Sequence, residues 1–167
     1  MTTALTADRL VGRQYLEDYD LNEVFISPAR TITEADVVQF ASLTGDWHAL
    51  HTDAEYARST AFGERIAHGM LTLSVGMVLV LRLGPSLYLP SSFIAMSGID
   101  NVRFLKPVRF GDTIHSVNRV AALEPKGEQR GILQYSSEIL NQHDQAVLVW
   151  TSRMLIARRP TVEPPAP

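Results

Sequence analysis

The stretch His68-Gly69-Met70-Leu71-Thr72-Leu73-Ser74-Val75-Gly76-Met77-Val78-Leu79-Val80-Leu81-Arg82-Leu83 decides the fold. Over residues 70–83 it is apolar on nearly every side of a helix, interrupted by Thr72, Ser74, Gly76 and Arg82. A bilayer span needs roughly 18–20 apolar residues, so this run is too short to be one and reads as a helix buried in protein. A helix without a polar face must be surrounded, here by a sheet curled around it. Gly69, Ser74 and Gly76 would let that sheet come close.

The rest of the chain supplies such a sheet. Beyond Pro85 come four long segments rich in branched and aromatic residues, near 93–105, 112–123, 131–141 and 146–157. In the last of these both alternating sets are largely apolar, which predicts a strand buried on both faces. Residues 125–128 and 141–145 read as hairpin turns, so successive strands run antiparallel. One further strand is expected near residues 22–27. Ahead of the central helix, residues 32–43 read as a shorter helix, with Thr33 as N-cap, acids in the first turn and Val37, Phe40 and Ala41 on one face. Gly45 ends it, and a loop from Asp46 leads to a short helical segment near 54–59.

The expected fold class is therefore α+β, a long central helix wrapped by an antiparallel β-sheet. One domain spans residues 1–157, and the tail at 158–167, with four prolines, is expected to be disordered or loosely attached. At 167 residues, 46% hydrophobic and 20% charged, the chain can bury one substantial core. A net charge of -3 without a dense basic run argues against nucleic acid as main partner. The lack of cysteine excludes disulfides, thiolate nucleophiles and Cys-based metal sites. Residues 1–20 alternate polar and apolar without a signal-peptide core, so a cytoplasmic location, away from membranes, is expected.

Chemistry concentrates in Gly45-Asp46-Trp47-His48-Ala49-Leu50-His51-Thr52-Asp53, upstream of His68-Gly69-Met70. Asp46 and His51 lie five residues apart, on a segment that reads as a loop. Asp and His are the usual pair for moving protons near neutral pH, and the exposed N–H groups at a helix start stabilise developing negative charge. Read alone, a Gly-Asp followed by His is an ordinary turn with a cap; the downstream His-Gly-Met favours catalysis. His68 either caps the central helix, the favoured reading, or lines the pocket, and His115 and His143 are expected to be ordinary strand and turn residues. His48, His51 and His68 can be read as a zinc set, but His48 and His51 lack the helical spacing of metalloproteases, so no metal is expected. Arg103, Lys106 and Arg109 form a basic cluster that is either a solvated strand edge or an anion contact.

In combination these motifs resemble the MaoC-like family of (R)-specific enoyl-CoA hydratases and related acyl-thioester dehydratases. The residues that carry the resemblance are Thr44-Gly45-Asp46, His48-Ala49-Leu50-His51, Asp53, His68-Gly69-Met70, Val102-Arg103-Phe104-Leu105-Lys106-Pro107-Val108 and Gly111-Asp112-Thr113. It covers residues 32–156. The resemblance implies a hot-dog fold and the addition of water to, or its removal from, a 2-enoyl or 3-hydroxyacyl thioester. Asp46 and His51 would be catalytic, Gly69 would stabilise the enolate oxygen, and His48, Trp47 and Arg103 would contact an acyl-CoA or acyl carrier protein thioester. It implies no cofactor or metal, and a homodimer or higher oligomer. One departure stands out: His48-Ala49 occupies the place of the family's Asn-Pro, which removes a fixed φ between the two catalytic positions. A hot-dog thioesterase and a non-catalytic acyl-binding subunit of a paired hydratase are the alternatives.

Overall fold

The computed structural model describes residues 12–84 and 86–161. The opening segment and the last residues of the proline-rich tail lie outside them. β1 (Val24–Ile26) and β2 (Arg30–Thr31) are short. α1 (Glu34–Thr44) starts at a reciprocal capping box, in which Thr33 Oγ1 accepts from the Asp36 N–H and an Asp36 carboxylate oxygen accepts from the Thr33 N–H at 2.8 Å. It stops at Gly45, whose N–H closes the last turn on Ala41 O at 2.8 Å and whose φ of 79° then turns the chain off the helix. Then come α2 (Ala49–Thr52), α3 (Ala54–Arg58) and the central helix α4 (Gly69–Leu79), extended by a 3-10 turn over Val80–Leu83. α2 corrects the reading of this segment as a loop; four residues are too few to show a helical period.

β3 (Phe93–Phe104), β4 (Thr113–Pro125), β5 (Arg130–Leu140) and β6 (Ala146–Ala157) complete the chain. The sheet runs in the order β1-β4-β5-β6-β3, all neighbours antiparallel, with β2 added on the start of β4. The two hairpins turn through Gly127 and Asp144, both at positive φ. β3 leaves the helix and returns to the far edge beside β6, which makes this the hot-dog arrangement.

α4 lays Leu71, Thr72, Leu73, Gly76 and Leu79 on the sheet, where the core includes Ile114, Ile139, Val147, Leu148 and Trp150. A fully buried Leu or Ile contributes about 1.5–3 kcal/mol relative to exposure. Gly76 sets the closeness of approach, because a methyl group there would run into the Ile139 side chain. The expectation of a surrounded helix is only half met. Met70, Ser74 and Val78 face outward, since the sheet curls around one side of α4 and leaves the other open. β6 likewise buries Leu148, Trp150, Ser152, Met154 and Ile156 on one face, while the other face is only half covered.

A second core cluster joins Leu16, Tyr19, Phe25, Tyr88 and Tyr135. Arg13, buried and paired with Glu23, lies over the Tyr19 ring at 4.6 Å. The first tail residues are not loose: Arg158 Nε donates to Glu17 at 2.8 Å, and Arg159 pairs with Asp18. Among the described residues no helix is long and apolar enough to cross a membrane.

Candidate active site

The αL stop at Gly45 turns the chain off α1 and delivers Asp46 to the mouth of the site. Its N–H donates to Thr44 Oγ1 at 3.3 Å, and its Oδ1 accepts the His48 N–H at 3.3 Å. His48 is the N-cap of α2: its Nδ1 accepts the Leu50 N–H at 3.1 Å. An imidazole therefore does the capping work in the segment where the family's proline stiffens the backbone. Asp53 in turn caps α3, accepting from the N–H groups of Glu55 and Tyr56 at 2.9 and 3.0 Å.

His51 rides on α2. Its Nδ1–H donates to Ile66 O at 2.7 Å, because a carbonyl can only accept. In the neutral ring Nε2 is then the nitrogen with the free lone pair. Burial holds the His51 pKa below the usual histidine value, partly offset by the Ile66 carbonyl and the Asp46 charge. The ring is thus a neutral base at neutral pH. One carboxylate oxygen of Asp46 and one ring nitrogen each of His51 and His68 gather within 4.8 Å of one another.

His68 occupies the N-cap position of α4, yet its side chain makes no cap bond, which corrects the expectation. It turns back instead, with Nε2 3.0 Å from Asp46 O and 3.9 Å from Asp46 Oδ2. Its ring lies 3.9 Å from that of His51.

Gly69, Met70 and Leu71 open α4, where backbone N–H groups have no intrahelical acceptor. A Cβ on Gly69 would come 2.7 Å from the Phe104 ring, so a side chain here would force the ring or the helix to shift. Below lies a cavity of about 390 Å³, with His51, Gly69, Met70, Phe104, Val108 and Leu148 among its walls. Its lining is mostly apolar; Thr72 and Lys106 are exceptions.

Asp46, His51 and Gly69 are thus brought to one end of α4, and His51 and Gly69 border the cavity. Asp46, Trp47, His48 and Arg103 are not among the residues that line it. Trp47 is 53% exposed, with its carbonyl accepting from Thr52 Oγ1 at 3.3 Å, and Arg103 stands on β3 opposite Val149. Of the basic cluster only Lys106 reaches the cavity; Arg109 is taken up by Glu64 and the Phe62 carbonyl. Phe104 and the turned-back His68 are the features missed by the sequence reading. The nearest signal for His68 was its place directly before Gly69.

Fold and site together define a hot-dog protein with a carboxylate and two imidazoles gathered at the N-terminus of its central helix. Residues 21–137 match the MaoC like domain, and the chain belongs to that family. The (R)-specific enoyl-CoA hydratase of Rhodospirillum rubrum is 37% identical over 125 residues, 73% of this chain and 79% of that protein. Protein MaoC of Klebsiella aerogenes is 39% identical over 102 residues, 61% of this chain and 29% of that protein, so the chain spans less than a third of that relative. The X-ray structure of the Monoamine oxidase regulatory protein from Archaeoglobus fulgius superposes with a TM-score of 0.83 at 38% identity, covering 89% of this chain and 97% of that one.

Proposed function

We propose that the protein is a hydro-lyase that adds water to a 2-enoyl thioester, or removes it from a 3-hydroxyacyl thioester. The observation that carries this reading is the gathering of Asp46 and His51 within 4.8 Å beside the first turn of α4, with His51 Nε2 left as the base. A water held between the carboxylate and Nε2 gives up a proton as its oxygen bonds to carbon 3, while a proton is delivered to carbon 2. The π electrons of the double bond move toward the thioester carbonyl, whose oxygen gains enolate character. The Gly69 N–H, at the positive end of α4, stabilises that oxygen; one such donor is typically worth about 10²–10³ in rate. This chemistry calls for no cofactor.

A cavity of about 390 Å³ is at the small end for ligand sites, which supports a short acyl group; the carrier in this reading is coenzyme A and the setting cytoplasmic. Lys106, at the cavity, is placed to meet a negative group of the carrier. Three wall residues, Met70, Phe104 and Leu105, are half or more exposed in the single chain (55%, 54% and 50%). A second copy laid against β3 and the open face of α4 would finish the wall, so the working unit is a homodimer.

The test is incubation with crotonyl-CoA and analysis of the product by mass and chirality. Formation of (R)-3-hydroxybutyryl-CoA supports the reading. Release of free coenzyme A would replace it with a thioesterase, and binding without turnover would make the chain an acyl-binding subunit.

A further inference from the structure

We propose that His68 is a positioning residue: an imidazole that ties the Asp46 backbone, the His51 ring and the first turn of α4 into one unit. The inference rests on the hydro-lyase reading above. A histidine at an N-cap that served only the helix would spend its side chain on the free N–H groups of the first turn. This one does not. It is 2% exposed, packed against Phe40 with ring centroids 5.1 Å apart, and directed to the residue that holds the catalytic carboxylate.

The hydrogen-bonding partner fixes which ring nitrogen is the donor. Asp46 O accepts, so Nε2 carries the hydrogen and Nδ1 is bare in the neutral ring. Nδ1 is buried and has no hydrogen-bond partner. A second proton there would bury an unpaired N–H beside the imidazole that takes part in proton transfer. The same bookkeeping argues against a cation held by Asp46, His51 and His68. Ligation through His68 Nε2 would break the bond to Asp46 O and drive the hydrogen onto Nδ1, where nothing accepts it.

Geometry gives His68 two tasks. Its bond to Asp46 O fixes the backbone from which the carboxylate projects. Its face, 3.9 Å from the His51 ring and tilted by 32°, limits rotation of that ring, whose other anchor is Ile66 O. Because Gly69 is the next residue, a shift of the Asp46 loop is felt directly at the oxyanion donor. A misplacement of about 1 Å in such a site can cost 10²-fold in rate.

The tasks separate in two variants. His68→Phe keeps a ring against His51 and loses the donor; His68→Asn keeps an N–H donor and loses the ring. Expected for His68→Phe is a fall in kcat of roughly 10- to 100-fold, with KM and the acid limb of the pH profile little changed. Expected for His68→Asn is a smaller fall in kcat, with the acid limb moved to higher pH as solvent reaches His51. NMR titration of the His51 ring should show the same upward move in His68→Asn and a smaller one in His68→Phe, which keeps the ring buried, whether or not turnover is measured. Wild-type kcat, pH profile and His51 titration in both variants would overturn the proposal, as would failure of both to fold, which would make His68 a structural residue. Absence of hydration by the wild type would instead refute the hydro-lyase reading itself.

Discussion

The Nδ1–H of His51 donates to the carbonyl oxygen of Ile66 across 2.7 Å, a bond that joins α2 to the segment leading into α4. It sets the tautomer of the ring before substrate arrives and leaves Nε2 as the only nitrogen able to accept a proton.

That bond and the burial of the ring predict the pH dependence. Burial, the largest influence, lowers the His51 pKa, so the neutral base persists to more acidic pH than in an exposed histidine. Hydration should be lost as pH falls through this lowered value, giving kcat/KM an acid limb with its midpoint below the ordinary histidine value of about 6.5. For stability the sign is the same: between the lowered folded value and the unfolded value the unfolded chain binds more protons, so this group favours unfolding as pH falls. A pH–rate profile with a midpoint above 6.5 would contradict the assignment.

Gly69 and Phe104 make a second prediction. Gly69→Ala would set a methyl 2.7 Å from the Phe104 ring. The ring or the helix must move, at a cost of about 1–3 kcal/mol in stability, and turnover should fall because the N–H donor shifts. Adding Phe104→Leu should recover most of the lost stability. Urea unfolding of the single and double variants measures this; equal loss in both would show that the ring is not the obstacle.

His48 caps α2 in place of the family's Asn-Pro. His48→Asn should preserve stability, since Asn accepts the same backbone N–H. His48→Leu removes the acceptor and should cost about 1 kcal/mol, with a several-fold fall in kcat because α2 carries His51. Thermal melts and turnover of the two variants decide it. Identical behaviour of both would mean that the Leu50 N–H is satisfied without this side chain.

Much of the scaffold was legible in the sequence because the signals were local. Thr33 and Asp36 spell a helix start, Gly45 a stop, and the alternation in residues 146–157 gives β6 its bounds. The apolar run after Gly69 marks the central helix, and the order of Asp46 and His51 ahead of it marks the segment that carries the proposed site. What stayed hidden depends on contacts between distant residues. The His68 bond to Asp46 spans 22 positions, and the Phe104 ring reaches Gly69 from another strand. The open face of α4 was misread for the same reason: an all-apolar helix says that it must be covered, not whether its own chain covers it. Trp47, His48 and Arg103, expected as substrate contacts, do not line the cavity, and which way each side chain faces is set by contacts with residues distant in sequence.

The uncovered side predicts the assembly. β3 is an edge strand with Ile94, Met96 and Ile99 exposed, and α4 leaves Met70 and Val78 exposed. An edge strand is a template for pairing with a second copy. The wild type should sediment as a dimer, and Ile99→Lys should shift it to a monomer with reduced turnover. A wild type that stays monomeric at high concentration would contradict the proposed unit.

The most direct test compares hydration of crotonyl-CoA by the wild type and by Asp46→Asn, followed as loss of the enoyl absorbance, after circular dichroism has shown that both are folded. The substitution keeps the shape of the side chain and removes its charge. A measurable rate in the wild type, with a loss of about 10²–10⁴-fold in the variant, is the predicted result. Near-wild-type turnover by Asp46→Asn would contradict the role given to the Asp46–His51 pair.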